Sequence, residues 1–327
     1  MTTISTPGAS LDVLLTPQDL RAALESDARA GLTATPKWLP PKYFYDDRGS
    51  RLFEEITRLP EYYPTRTEHA ILSAYADDIA AAAGAEVLLE LGSGSSQKTR
   101  LLLDAMARRA ELAAYVPVDV SAGALRDAMA ALRADYPHLP LLGAVADFDR
   151  HLGALPAPGR RLWVLLGSTI GNYPTAERRT FLSGLADAMR PGEALLLGVD
   201  LVKDPERLVA AYDDAAGVTA AFNRNVIAVL DRELDGDLDP EDFVHVALWD
   251  AENEWIEMRL RASRPVSGRL AALDLPVELA RDEEIRTEIS AKFRRERIEP
   301  ELAEVGLTVE RWWTDPMADF GLLLARR

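Results

Sequence analysis

Short, continuously apolar runs recur along the first two thirds of the chain, each closed by a break and followed by a stretch with helical spacing. Val87–Leu89, Ala114–Val120, Leu141–Val145, Arg160–Leu166 and Ala194–Asp200 predict buried parallel strands, because a strand covered on both faces has no polar alternation. Between them, Ile71, Leu72, Tyr75 and Ile79 fall on one helical face, and so do Leu101, Leu102, Ala105 and Met106; a further helix is predicted over Pro174–Met189. Thr65-Arg66-Thr67-Glu68 has the spacing of a capping box at the head of the first of these helices. Thr16 with Pro17 predicts an earlier helix start, carrying Leu20, Ala23 and Leu24. Residues 1–15, rich in Thr and Ser, read as a loose terminus.

After Asp200 the alternation stops. Asp204-Pro205-Glu206 opens a helix through Leu208, Val209 and Tyr212, and Thr219–Leu234 a second. Phe243–Trp249 and Glu254–Ala262 alternate with period two and predict an antiparallel hairpin, on which Ile256, Met258 and Leu260 share a face. Pro276–Leu279 reads as another strand. From Ser290 a helix is expected, then two strands, Leu307–Trp313 and Phe320–Ala325, closing the first sheet as an antiparallel edge pair. The whole predicts an α/β fold with a second, α+β region inserted after the fifth strand.

The chemistry concentrates where the first apolar run ends, in Glu90-Leu91-Gly92-Ser93-Gly94. Glycines there let a ligand approach the backbone, and the helix that follows offers free N–H groups. A dinucleotide site would want a third glycine where Gln97 stands, so NAD is disfavoured. An acid two residues before G-x-G instead fits S-adenosylmethionine (SAM) sites of Rossmann-like methyltransferases, with a plain strand-to-helix turn as the alternative. Asp119 ends the second strand 25 residues past Gly94, where a carboxylate can accept from a ribose diol. Asp147 beside Phe148 suits the amino group and face of an adenine. The fourth strand runs into Gly167-Ser168-Thr169-Ile170-Gly171-Asn172-Tyr173-Pro174, where reacting groups belong. Lys37–Asp47, with Trp, Phe and two Tyr around a double proline, is a hydrophobic clamp or, through Tyr45, part of a ligand pocket.

Composition narrows this reading. A net charge of −16 with no basic block argues against a nucleic-acid substrate. No apolar stretch is long enough to span a bilayer, the first ten residues lack a signal peptide's blocks, and cysteine is absent, which together predict a cytoplasmic protein. His69, His138, His151 and His245 show no metal-ligand spacing.

Taken together, Tyr-Tyr-Pro-Thr-Arg-Thr-Glu at 62–68, Glu-Leu-Gly-Ser-Gly-Ser-Ser-Gln-Lys-Thr at 90–99, Gly-Ser-Thr-Ile-Gly-Asn at 167–172, Ala-Phe-Asn-Arg-Asn at 221–225 and Thr-Glu-Ile-Ser-Ala-Lys-Phe at 287–293 resemble the SAM-dependent histidine Nα-methyltransferases of ergothioneine biosynthesis, the EgtD family. The resemblance covers nearly the whole chain. It implies a class I SAM methyltransferase domain over 65–200 and 290–327, a substrate-binding domain over 15–64 and 201–289, and a monomer. The implied reaction is three methylations of the α-amine of L-histidine, giving hercynine. Residue by residue, the resemblance implies SAM contacts at Gly92, Lys98, Asp119, Asp147 and Phe148. It puts Asn172 and Tyr212 on the substrate carboxylate and Tyr62, Glu288 and Ser290 on the imidazole. Gly167 and Thr169 fall near the α-amine, which Tyr45 approaches, and Met258 and Phe222 form pocket walls. Two alternatives stay open: a methyltransferase of the same fold for another amino acid or amine, and a SAM-fold protein that binds a partner without catalysis.

Overall fold

The computed structural model describes residues 2–6, 8–156 and 158–327. The chain divides into two compact units, one of Met1–Leu15, Pro64–Val202 and Lys292–Arg327, the other of Thr16–Tyr63 and Lys203–Ala291.

The first unit is built on a nine-stranded sheet. Its spatial order is Thr2–Thr6, Ala9–Val13, Leu141–Val145, Ala114–Asp119, Val87–Leu91, Arg161–Leu165, Ala194–Asp200, Phe320–Arg326 and Thr308–Thr314. The strands from Ala9–Val13 through Ala194–Asp200 are all parallel, and both edges are antiparallel. The five apolar runs are therefore the centre of the sheet, and Phe320–Arg326 and Thr308–Thr314 form the antiparallel pair the sequence predicts. Helices Tyr63–Ala83, Arg100–Arg108 and Ala122–Asp135 bury Ile71, Leu72, Ile79, Leu102, Leu103, Ala105, Met106, Leu125 and Leu132 in one core. Leu103 stands in that core where Leu101, only partly buried, was expected.

The terminus departs from expectation. Ala9–Val13 joins the sheet parallel to Leu141–Val145, and Thr2–Thr6 folds back on it; Met1 and Pro7 lie outside the described residues. Leu11 is the one buried side chain of Ala9–Val13, so this strand carries too little apolar pattern to register in the sequence. The helix Tyr63–Ala83 also starts before the Thr65 cap that the spacing suggested, and Glu68 is fully buried rather than turned back on the helix end.

In the second unit, a four-stranded sheet runs Lys37–Trp38, Glu284–Ala291, Trp255–Ala262, Phe243–Asp250, beside a hairpin of Val266–Leu270 and Leu275–Leu279. Helix Val218–Leu234 buries Phe222, Val226, Ile227 and Leu230 with Ile256, Met258 and Leu260 of the sheet. Helix Pro17–Thr33 carries a complete capping box, Thr16 with Asp19. Ser290 corrects the expectation of a helix: it stays in the extended strand, and the helix begins at Arg295. Among the described residues no helix is long and apolar enough to cross a membrane, and no group of acids and histidines could hold a metal ion.

The turn after Val87–Leu91 is braced from behind. Glu90 is buried, accepting from the Thr99 hydroxyl at 2.5 Å and from the Tyr115 hydroxyl, which also lies 2.9 Å from Ser96 Oγ. Burial raises its pKa from 4.5 to about 7, against the hydrogen bonds from Thr99 and Tyr115. A carboxyl that binds its proton more tightly when folded adds stability that is complete below pH 4.5 and is lost as the pH rises through about 7. The loss is on the order of 3 kcal/mol. Thermal melts at pH 5 and pH 8 should accordingly show a smaller drop for Glu90→Gln than for the wild type, and equal drops would contradict the buried, protonated acid.

Candidate active site

The carboxyl ends of the parallel strands lie along one rim, where ligands gather in open α/β sheets. Gly92 and Gly94 stand there with φ of 68° and 48°, and a side chain at Gly94 would enter open space, which is the room a ligand needs over the backbone. The Ser93 hydroxyl between them is buried without a hydrogen-bond partner among the described residues. Asp119 accepts from Gly94 N at 3.0 Å and from Ser121 N at 2.9 Å. Burial pushes its carboxyl up, and the backbone N–H groups of Ser121, Gly94 and Val120 oppose that shift. Two N–H bonds leave lone pairs on both oxygens for a diol. Asp147 caps the short helix Phe148–His151, accepting from Asp149 N at 3.0 Å. Phe148 stands with a ring carbon 3.9 Å from where a Cβ on Gly92 would lie, and it meets Phe181 edge-on at 5.9 Å. Gly92, Asp119, Asp147 and Phe148 thus border one open rim, and their chemistry fits a nucleoside carrying a diol and an adenine.

Lys98 is tied to this rim by a residue that the sequence reading gave to a helix cap. Buried Glu68 forms an ion pair with half-buried Lys98 and accepts from Gly167 N at 2.8 Å. Its oxygen also occupies the space a Cβ on Gly198 would need. One carboxylate therefore joins the glycine turn to the loop after the fourth strand. Only the tertiary partners distinguish this role from a capping box, since the local pattern is the same.

In that loop, Gly167 and Ser168 both have positive φ, 72° and 58°, and the Ser168 hydroxyl accepts from Asp200 N at 2.9 Å. Thr169 Oγ1 donates to Leu166 O at 2.9 Å, opening the single turn Thr169–Asn172 that ends on Asn172. Asp200 in turn pairs with buried Lys292 at 3.0 Å. Tyr173 stacks on Phe181 at 5.0 Å and donates to Asp149 at 2.5 Å. Burial, then the Asp149 carboxylate, holds its phenol well above the ordinary value, so it keeps its proton at neutral pH.

The remaining residues gather in the second unit. Tyr45 meets Phe53 and Phe222 edge-on, each at 5.6 Å, and Phe222 lies 4.7 Å from Phe44. Tyr62 meets Phe53 and Tyr212 edge-on at 6.2 Å each. The next residue after Tyr45 is anchored: Asp46 caps helix Asp47–Ile56 through Gly49 N and accepts from Asn225 at 2.8 Å and Arg232 at 2.9 Å. Against this wall, Tyr212 and Ser290 share a hydroxyl–hydroxyl bond of 2.7 Å. Met258 pairs directly across the strands with Glu288, and Ile256 with Ser290, so Glu288 and Ser290 point to the Met258 side. The clamp reading of Lys37–Asp47 matches the packing, since Phe44 is core and Tyr45 lies half-buried against it beside Phe222.

Residues 24–327 match the family described as histidine-specific methyltransferase, SAM-dependent. The chain is 60% identical over 305 residues to a histidine N-alpha-methyltransferase of Mycolicibacterium smegmatis, covering 93% of this chain and 95% of that one. It is 53% identical, with the same coverage, to a histidine N-alpha-methyltransferase of Mycobacterium tuberculosis. It is 35% identical over 217 residues to the ergothioneine biosynthesis protein 1 of Neurospora crassa, covering 63% of this chain and 24% of that longer one. Fold, ligand rim and sequence agree: the chain belongs to the family of SAM-dependent, histidine-specific methyltransferases.

Proposed function

We propose that the chain methylates the α-amine of L-histidine three times at the expense of SAM, giving hercynine, as the first step of ergothioneine biosynthesis. The observation that carries the choice of substrate is the polar strip of Tyr212, Ser290 and Glu288 set beside Tyr45, Tyr62, Phe222 and Met258. A flat, apolar ring with N–H groups at its edge suits such a strip, because Glu288 accepts from an imidazole N–H while the aromatic wall covers the ring face. Tyr212 and Asn172 are assigned as uncharged donors to the carboxylate. Gly167, Thr169 and Tyr45 are assigned to the α-amine.

SAM, when bound, supplies a methyl group activated by its sulfonium. Gly92, Lys98, Asp119, Asp147 and Phe148 would hold it, with Asp119 on the ribose and Asp147 and Phe148 on the adenine. The chain's task is then to present a deprotonated amine in line with that methyl carbon, which is mainly a matter of positioning. The absence of cysteine and of a membrane-crossing helix among the described residues supports a cytoplasmic enzyme, and we take it to act as a monomer.

Incubating the purified protein with SAM and a panel of amino acids, and reading masses, tests the activity: three added methyl groups on histidine alone are expected. Replacing Asp119 by Ala should weaken SAM binding on the order of 100-fold, because it removes a charged acceptor from the ribose and frees Gly94. Calorimetry showing unchanged SAM affinity in the folded variant would remove Asp119 from the site. Gly198→Ala should displace Glu68, and with it the Lys98 and Gly167 contacts, lowering SAM affinity about tenfold at an unchanged fold. Wild-type affinity in that variant would show the bridge to be dispensable.

Glu288 gives the sharpest test. In a partly dry pocket it penalises side chains that leave it unpaired, by a few kcal/mol in principle. Glu288→Ala combined with Met258→Val should lower kcat/KM for histidine and raise it for tryptophan. The quantity to compare is the ratio of the two, and a ratio equal to that of the wild type would refute the assignment.

A further inference from the structure

Two of the sequence motifs contain buried polar residues that the site does not use. Asn223 is fully buried on helix Val218–Leu234, and Thr287 is fully buried on strand Glu284–Ala291. Asn223 Nδ2 lies 2.8 Å from His245 Nδ1 and donates to Arg259 O at 3.0 Å. Its Oδ1 accepts from Thr287 Oγ1 at 2.6 Å, and that hydroxyl also lies 3.0 Å from Met258 O. The carbonyl of Arg259 needs a donor, so the amide nitrogen must face it, and His245 Nδ1 is then an acceptor. The imidazole is therefore neutral with its proton on Nε2, which donates to Tyr212 O at 2.8 Å.

Thr287 sits where the strand register slips. Leu260 pairs with Ile285 and Met258 with Glu288, a step of two on one strand against three on the other. Side chains alternate along a strand, so without the extra residue Ile285 and Glu288 could not share a face. The bulge keeps Ile285 in the core and turns Glu288 and Ser290 to the side of Met258. A regular register would send both away from it.

We propose that Asn223, His245 and Thr287 are positioning residues that set specificity: one set of hydrogen bonds fixes the backbone of Tyr212 and the bulge that aims Glu288 and Ser290. The proposal rests on the assignment of Tyr212, Glu288 and Ser290 to histidine. The set has a built-in sensitivity to acid, because protonated His245 would turn an N–H toward the Asn223 N–H. Burial lowers the pKa of His245; its bond to Tyr212 O and the Asp213 and Asp214 carboxylates act the other way, and Arg224 adds to the lowering. On the adjacent strand, Glu257, Arg259 and Arg261 alternate away from His245, whose paired residue is Leu260.

The test measures Kd for histidine and for SAM by calorimetry in Thr287→Val, Thr287→Ser, His245→Phe and His245→Gln. Thr287→Val and His245→Phe should weaken histidine binding about 5- to 30-fold and leave SAM binding unchanged. Thr287→Ser restores the hydroxyl and should restore affinity. His245→Gln can accept from Asn223 and donate to Tyr212 O, so it should bind histidine like the wild type at neutral pH. It should also lose the part of the affinity decline at acidic pH that does not come from histidine's own titration. Equal losses for SAM and histidine, no rescue by Ser or Gln, or identical pH profiles for wild type and His245→Gln would overturn the proposal. Tyr212→Phe and Glu288→Gln run beside them: if these change nothing, the site assignment fails. If these weaken histidine binding while Thr287→Val and His245→Phe do not, the positioning role alone fails.

Discussion

The ligand rim of the first unit depends on one buried anion. Glu68 has no exposed surface, and its carboxylate is stable there because a lysine and a backbone N–H meet it and a glycine makes room for it. Removing either partner would leave a charge in a dry site, which is costlier than never having buried one. This couples three pieces of chain distant in sequence: helix Tyr63–Ala83, the turn with Lys98, and the loop at Gly167. The glycine at 198 is required by packing against that carboxylate rather than by its backbone conformation, which is ordinary.

A second acid works behind the same rim. Glu90, read from sequence as the motif acid of a SAM site, accepts from Thr99 and Tyr115, two buried hydroxyls. Asp119, one strand away, accepts from the N–H groups of Gly94 and Ser121 and so fixes the turn. Burial raises both acids, and their partners differ: Glu90 is met by two buried side-chain hydroxyls, Asp119 by the backbone N–H groups of the turn.

Much of this was legible in the chain. The five central strands declare themselves because a strand covered on both faces must be apolar throughout, and Gly92, Gly94 and Asp119 follow from where such strands end. What escaped is tertiary. Thr65-x-x-Glu68 satisfies a local rule whose intended partner is outcompeted by Lys98 and Gly167. Ala9–Val13 buries one leucine and gains its stability from pairing at a sheet edge, which leaves little trace in composition. Ser290 was expected at a helix start, but its strand is held by pairing with Ile256.

The bulge at Thr287 decides which face of its strand carries Glu288 and Ser290, the residues proposed to meet the substrate. A strand offers alternate positions to one face, so a carboxylate and a hydroxyl two residues apart always point together, and the parity of the strand decides to which face. In this strand parity is also claimed by the core, through Ile285 opposite Leu260. The two demands differ by one residue, and an inserted, hydrogen-bonded threonine reconciles them. An exchange that keeps every lining side chain but relaxes the bulge would therefore change what the pocket presents. On the assignment proposed for Glu288 and Ser290, specificity resides as much in the register of the sheet as in the residues assigned to the ligand.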